Sequence, residues 1–183
     1  MDIQLAQADM RKAYDEGRPG VLVSGLVWAL AAGASLVANP QQVVWLFFIC
    51  GALIHPLAVL IAKLMGATGS AEKANPLQGL ALASTAWLIF SLPLAYGIFM
   101  LEPLWFFPAL MLIIGGRYLV FATLYGIKSY WVLGLALAGS AYPLAVAGAS
   151  FTQGAALGAV IEISYALVQW VIGVAAHQKT LAE

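Results

Sequence analysis

Three residues carry side chains that the surrounding sequence makes hard to place: His55, Arg117 and Glu162 each stand inside a long apolar run. An imidazole, a guanidinium and a carboxyl could together bind an ion, pass a proton or hold a small polar solute. An Arg–Glu pair could equally lock helices together. An arginine stays charged in proteins, so Arg117 must find a partner, reach toward a polar surface or line a wet cavity. Glu162 has a further escape, because it can take up a proton. The first expectation is therefore an Arg117–Glu162 contact. Tyr165 and Gln169 follow Glu162 at three- and four-residue spacing, which extends a polar stripe along one helix face. His55, directly before Pro56, reads as a proton relay or as a neutral hydrogen-bonding group. These five residues form the candidate polar site.

Other chemistries lack their residues. The chain has two histidines, one of them His177 near its end, and a single cysteine, Cys50. That is too few for a His-rich or Cys-rich metal site and leaves no internal disulfide. There is no phosphate-binding glycine loop and no paired-carboxylate arrangement. Neither a metal nor another cofactor is expected, and no catalytic residue is assigned. Eight acids balance eight bases, so no overall field favours nucleic acid.

The elements that must position these side chains follow from composition. Hydrophobic residues make up 63% of the chain and charged residues 9%, against roughly a quarter charged in soluble domains. A water-soluble protein of 183 residues could not hide so much apolar surface, so lipid must supply part of the solvent. The charges punctuate six apolar segments, placed at about 21–38, 43–64, 80–100, 104–125, 130–147 and 155–175, each near the roughly 20 residues a crossing needs. Asn39, Pro40, Gln41 and Gln42 read as the turn between the first two, and the run from Gly148 to Gly154 as the turn between the last two. Backbone groups cannot stay unpaired in hydrocarbon, so a span is helical or part of a barrel. Trp105 to Gly116 is apolar on every side, without the alternation of a barrel strand. The fold class is all-α: a compact bundle of six transmembrane helices.

Six crossings put both termini on one side. Arg11, Lys12, Arg18, Lys63, Lys73, Lys128 and Lys179 fall on that side and no Lys or Arg falls in the opposite loops, which makes the termini cytoplasmic. Residues 1–20 are too charged for a cleaved signal. Ile3, Ala6, Met10 and Tyr14 recur at helical spacing there, opposite Lys12, Asp15 and Glu16. An amphipathic helix at the membrane interface is expected, ending at Gly17, Pro19 and Gly20. Residues 21–175 form the membrane domain and 176–183 a cytoplasmic tail. At 1.5 Å per residue, Glu162, His55 and Arg117 lie roughly 11, 18 and 20 Å from the outer ends of their helices. All three are inside the hydrocarbon zone.

Pro56, Pro93 and Pro143 each open a Pro-Leu-Ala triplet within a helix and mark candidate kinks. The triplets invite comparison with the broken helices of transporters, but the last helix contains no proline. Gly115, Gly116, Gly154 and Gly158 are candidate helix-packing positions, since small residues let backbones approach.

The stretch Met10-Arg-Lys-Ala-Tyr-Asp-Glu-Gly-Arg-Pro-Gly20, running on through Val21 to Trp28, resembles a family of small bacterial multi-spanning membrane proteins of unknown function. So do Trp105 to Gly126, His55-Pro56 and Asn75-Pro76-Leu77. The resemblance implies a cell-membrane location and transfers no activity. Three functions remain open on these residues. The first is movement of a small solute or ion through a polar intramembrane site. The second is a scaffold or accessory subunit in which Arg117 and Glu162 form a structural pair. The third is an intramembrane enzyme acting on a lipid-like substrate. Membrane lipid is the one partner the composition requires; a solute, an ion or a protein partner depends on which function holds, and oligomeric state is not encoded legibly.

Overall fold

The computed structural model describes the backbone of residues 1–182 and the side chains of residues 1–173. Among the described residues there are seven α-helices, joined by short turns except for the longer 65–76 connection: α1 (Ile3–Tyr14), α2 (Arg18–Ala34), α3 (Pro40–Leu64), α4 (Leu77–Leu101), α5 (Phe106–Tyr125), α6 (Ser129–Val146) and α7 (Phe151–Ala182). No strand occurs among the described residues. Among the described residues, six helical segments are long and apolar enough to cross a membrane: Ile3–Ala34, Pro40–Leu64, Leu77–Leu101, Pro103–Tyr125, Ser129–Val146 and Phe151–Gly173. The tail assigned to 176–183, with His177 and Lys179, lies outside the residues whose side chains are described.

Each of the two runs expected to be turns passes into a helix start within itself. Asn39 Oδ1 accepts from the Gln42 amide at 3.0 Å, and Gln42 Oε1 accepts from the Asn39 amide at 3.2 Å. This capping box satisfies two of the donors that a helix N-terminus leaves open, with Pro40 in the first turn where its missing N–H costs nothing. The same reciprocal pair recurs between Ser150 and Gln153, at 2.8 and 3.2 Å, so α7 begins at Phe151 rather than Ala155. Gly148, at φ +63°, takes the left-handed conformation that turns the chain after α6.

In lipid there is little hydrophobic drive between helices, so close van der Waals fit must hold them. The α2–α7 contact is the tightest in this respect. A Cβ added at Gly158 would fall 2.5 Å from the Trp28 ring, and one at Gly25 would fall 3.1 Å from Glu162 Cβ. Gly154 gives similar room to Phe107, at 3.0 Å. On the other seam a Cβ at Gly115 would meet the Gly134 carbonyl oxygen at 2.7 Å, bringing α5 and α6 into backbone contact. Gly116 does not belong with these positions. It is exposed, with nothing within 4 Å of an added Cβ, because it lies about 100° around α5 from the packed face of Gly115. Pro56, Pro93 and Pro143 stay within α3, α4 and α6, and all three are exposed. They face outward and do not line the bundle interior.

The two ends of the bundle differ in chemistry. At the far end from α1, Trp28, Phe47, Phe106, Phe107 and Phe151 interlock, with ring centroids 4.5–6.3 Å apart. Edge-to-face pairs of this kind contribute about 0.5–1.5 kcal/mol each beyond burial. At the near end, α1 lies across the bundle with Ala6, Met10 and Ala13 buried and Ile3 exposed. Its fastenings are polar. Gln7 Nε2 donates to the Thr123 carbonyl at 2.8 Å and Arg11 Nη1 to the Tyr125 carbonyl at 2.5 Å, so both satisfy the open C-terminus of α5. Asn75 Nδ2 donates to the Ala6 carbonyl at 2.9 Å and to Asp9 Oδ2 at 2.7 Å.

The link from α1 to α2 is strained. Asp15, Glu16 and Gly17 have φ of 49°, 59° and 81°. Left-handed backbone costs non-glycine residues about 1–2 kcal/mol each. Arg18 Nη2 donates to Asp15 Oδ1 at 2.5 Å, and the Tyr130 hydroxyl donates to the Glu16 carbonyl at 2.7 Å, which together hold the turn. Gly17 is required twice over, by its φ and because a Cβ would lie 2.6 Å from the Tyr130 hydroxyl.

Candidate functional site

Glu162 is the most enclosed polar residue described, with 0% exposure. It sits on α7 eleven residues after Phe151, roughly 16 Å along the helix. α2 contributes Ser24 and Trp28 to its surroundings at i, i+4 spacing, and α5 contributes Tyr118. None of them reaches full hydrogen-bond geometry. Both carboxyl oxygens and the Trp28 indole N–H are buried without a partner. Such a group, if ionised, would bear a penalty of about 2.5–3.5 kcal/mol or more in a membrane.

Arg117 is not its counter-charge. Among the described residues, the ion pairs are Arg18–Asp15 at 2.5 Å and Arg18–Glu16 at 3.8 Å. Arg117 instead donates through Nη2 to Thr85 Oγ1 of α4 at 3.1 Å, and its guanidinium carbon lies 5.3 Å from the centre of the Phe121 ring. Depth does not explain the missing pair, since Arg117 is also eleven residues into its helix, as far as Glu162 is into α7. Direction does. Successive residues on a helix point about 100° apart, so Tyr118 faces α2 and α7 while Arg117 faces α4.

His55 lies apart as well. It is exposed on α3, whose main packing partner is α2, and makes no hydrogen bond among those described. Tyr165 is half-buried one turn beyond Glu162 and shares a hydrogen bond with Ser129 at 2.9 Å. Gln169, another turn on, is half-buried with no described hydrogen bond. The five-residue site thus divides: Glu162, Tyr165 and Gln169 share the α7 face, Arg117 belongs to the α4–α5 seam, and His55 belongs to neither.

A tyrosine stack connects the Glu162 region with the α1 end. Tyr118 and Tyr130 have ring centres 6.2 Å apart, Tyr130 and Tyr125 5.7 Å, and Tyr130 and Tyr165 5.4 Å. Tyr130 then reaches Glu16 in the strained turn. Among the described residues, tyrosine hydroxyls thus lead from the Glu162 region toward α1. Toward the other end the neighbours are the interlocked Phe and Trp rings. Ser24 and Trp28 are the participants that a search for ionisable residues passes over; their shared face with Val21 and Ala31 was their only sequence signal. No group of three or more His, Cys, Asp or Glu able to hold a metal occurs among the described residues.

Fold and site define an all-helical protein with six membrane-length segments and a sealed, unpaired acid in its interior. The chain belongs to a family of unknown function, DUF7010, whose family model matches residues 3–174. No curated protein and no solved structure matches it.

Proposed function

We propose that this protein moves a small solute or ion across a cell membrane and that Glu162 is the group that carries the proton for that movement. The supporting observation is a fully buried carboxyl surrounded by Ser24, Tyr118 and Trp28, with no cation paired to it among the described residues. A glutamate kept for packing alone is costly here, because an unpaired charge in a membrane interior costs about 2.5–3.5 kcal/mol. A glutamate that gains and loses a proton must tolerate both states, and the Ser24 and Tyr118 hydroxyls beside it can donate to the carboxylate or accept from the acid. The tyrosine stack favours exchange from the α1 side. We read that side as cytoplasmic from its seven Lys and Arg residues, and the membrane as the bacterial cytoplasmic membrane from the sequence resemblance.

A second reading is a scaffold or accessory subunit for a protein partner. It is favoured by the position of Glu162 opposite Gly25 in the tightest helix contact. Vesicles containing the purified chain separate the two. A panel of ions and small organic solutes, supplied with and against a proton gradient, is expected to show at least one proton-linked flux that Glu162→Gln lowers at least tenfold, with unchanged insertion and melting. If no solute moves with wild-type protein, or the flux survives in Glu162→Gln, the transport reading fails. Glutamine keeps the shape and cannot titrate, so a scaffold should be indifferent to it.

A further inference from the structure

Arg117 poses a problem that Glu162 does not, because it has no neutral form to adopt. It lies eight residues from the α1-side end of α5, roughly 12 Å into the helix, and no carboxylate pairs with it among the described residues. Thr85 supplies one oxygen. The Thr85 hydroxyl donates to the Ala81 carbonyl at 3.0 Å, which leaves its lone pairs directed to Arg117. The face of Phe121 supplies a second, weaker contact. The rest of the guanidinium is unsatisfied: Nε is buried without a partner, and Nη1 makes no described hydrogen bond. On the same turn of α4, Ser84 is 6% exposed and its Oγ is also buried without a partner. A planar fork with free donors, held by a hydroxyl and an aromatic face and only half-buried, matches the geometry of a carboxylate or phosphate group.

We propose that Arg117, steadied by Thr85 and Phe121, binds an oxyanion at the α4–α5 seam, either the phosphate of an anionic lipid or a free carboxylate or phosphate. The free form carries a corollary that rests on the proton-carrying role of Glu162. A bound anion together with the Glu162 proton would make the transported species a weak acid, moved without net charge.

Binding is measurable without transport. Purified protein in phosphatidylcholine nanodiscs is melted with acetate or inorganic phosphate, using chloride at matched ionic strength as the reference. A parallel set contains phosphatidylglycerol in the bilayer. A bound ligand at a hundredfold excess over its Kd should raise Tm by roughly 5–10 °C. The expected result is such a rise in the soluble-anion arm or the lipid arm, which also identifies the source, and its loss in Arg117→Gln. Should that variant fail to fold, Arg117→Lys keeps the charge without the fork and should show a reduced rise. Glu162→Gln should keep the whole effect, which separates this site from the proton-carrying role. No rise in either arm for wild-type protein, or an equal rise in the arginine variants, overturns the proposal.

Discussion

Gly158→Val is expected to abolish stable assembly of the bundle, whereas Gly116→Ala is expected to be silent. At position 158 a first side-chain carbon would lie 2.5 Å from Trp28 Cδ2 and Cε3. Trp28 cannot yield, because it is 0% exposed and wedged against Phe47 at 5.0 Å and Phe107 at 5.4 Å. The helices would have to separate along the seam that also encloses Glu162. Overpacking a rigid contact costs about 1–3 kcal/mol and occasionally more, and valine adds two further methyl groups to a site with no room for one. We expect at least the upper end of that range, read as a large drop in melting temperature and in the monodisperse fraction in detergent. Gly116 has nothing within 4 Å, so alanine there should change stability by less than about 0.5 kcal/mol. Equal behaviour of the two variants would mean that α2 and α7 do not meet as described.

Asn75→Asp should release α1 while leaving the six spans assembled. Asparagine and aspartate are nearly isosteric, so packing is preserved and only the hydrogen bonding changes. Asn75 is 3% exposed; it donates to the Ala6 carbonyl and to Asp9, and its Oδ1 accepts from the Leu77 amide at 2.9 Å. Aspartate keeps the last bond, loses both donations and sets a second carboxylate where Asp9 now accepts a bond at 2.7 Å. Breaking two bonds and opposing like charges in a buried site predicts a loss of about 2–5 kcal/mol, concentrated on α1. Hydrogen exchange should show residues 3–14 losing protection while α2 to α7 retain theirs. Uniform loss along the chain, or none, would contradict the role of α1 as a separately fastened strap.

These two residues also mark what the sequence could and could not convey. The six apolar segments and their order are written in the distribution of charge, because charge between Arg18 and Lys63 is so costly in hydrocarbon that its absence is informative. The helical spacing of Ala6 and Met10 likewise marks a buried face through periodicity alone. Asn39–Gln42 and Ser150–Gln153 were harder, since the polar residues that cap a helix are the same types that make a turn. Least legible was azimuth. Residue counting puts Glu162 and Arg117 at different depths, roughly 11 and 20 Å; the earlier start of α7 at Phe151 brings both to eleven residues into their helices, and counting gives no direction at all. Which way each points depends on how α5 is rotated among its neighbours, and close contacts distant in sequence, Gly115 against Gly134 of α6 and Gly154 of α7 against Phe107, bear on that. The left-handed turn at Asp15 and Glu16 had no local signal beyond Gly17, because the bonds from Arg18 and Tyr130 that stabilise it are partly long-range.

A proton held by Glu162 inside the bundle can be seen by infrared difference spectroscopy. Spectra of wild-type protein and Glu162→Gln are recorded in lipid at neutral pH, in light and heavy water. A carbonyl-stretch band of a protonated carboxylic acid should be present in wild-type protein, shift on deuteration and vanish in the variant. A wild-type spectrum that loses only an ionised carboxylate band on substitution would contradict the account.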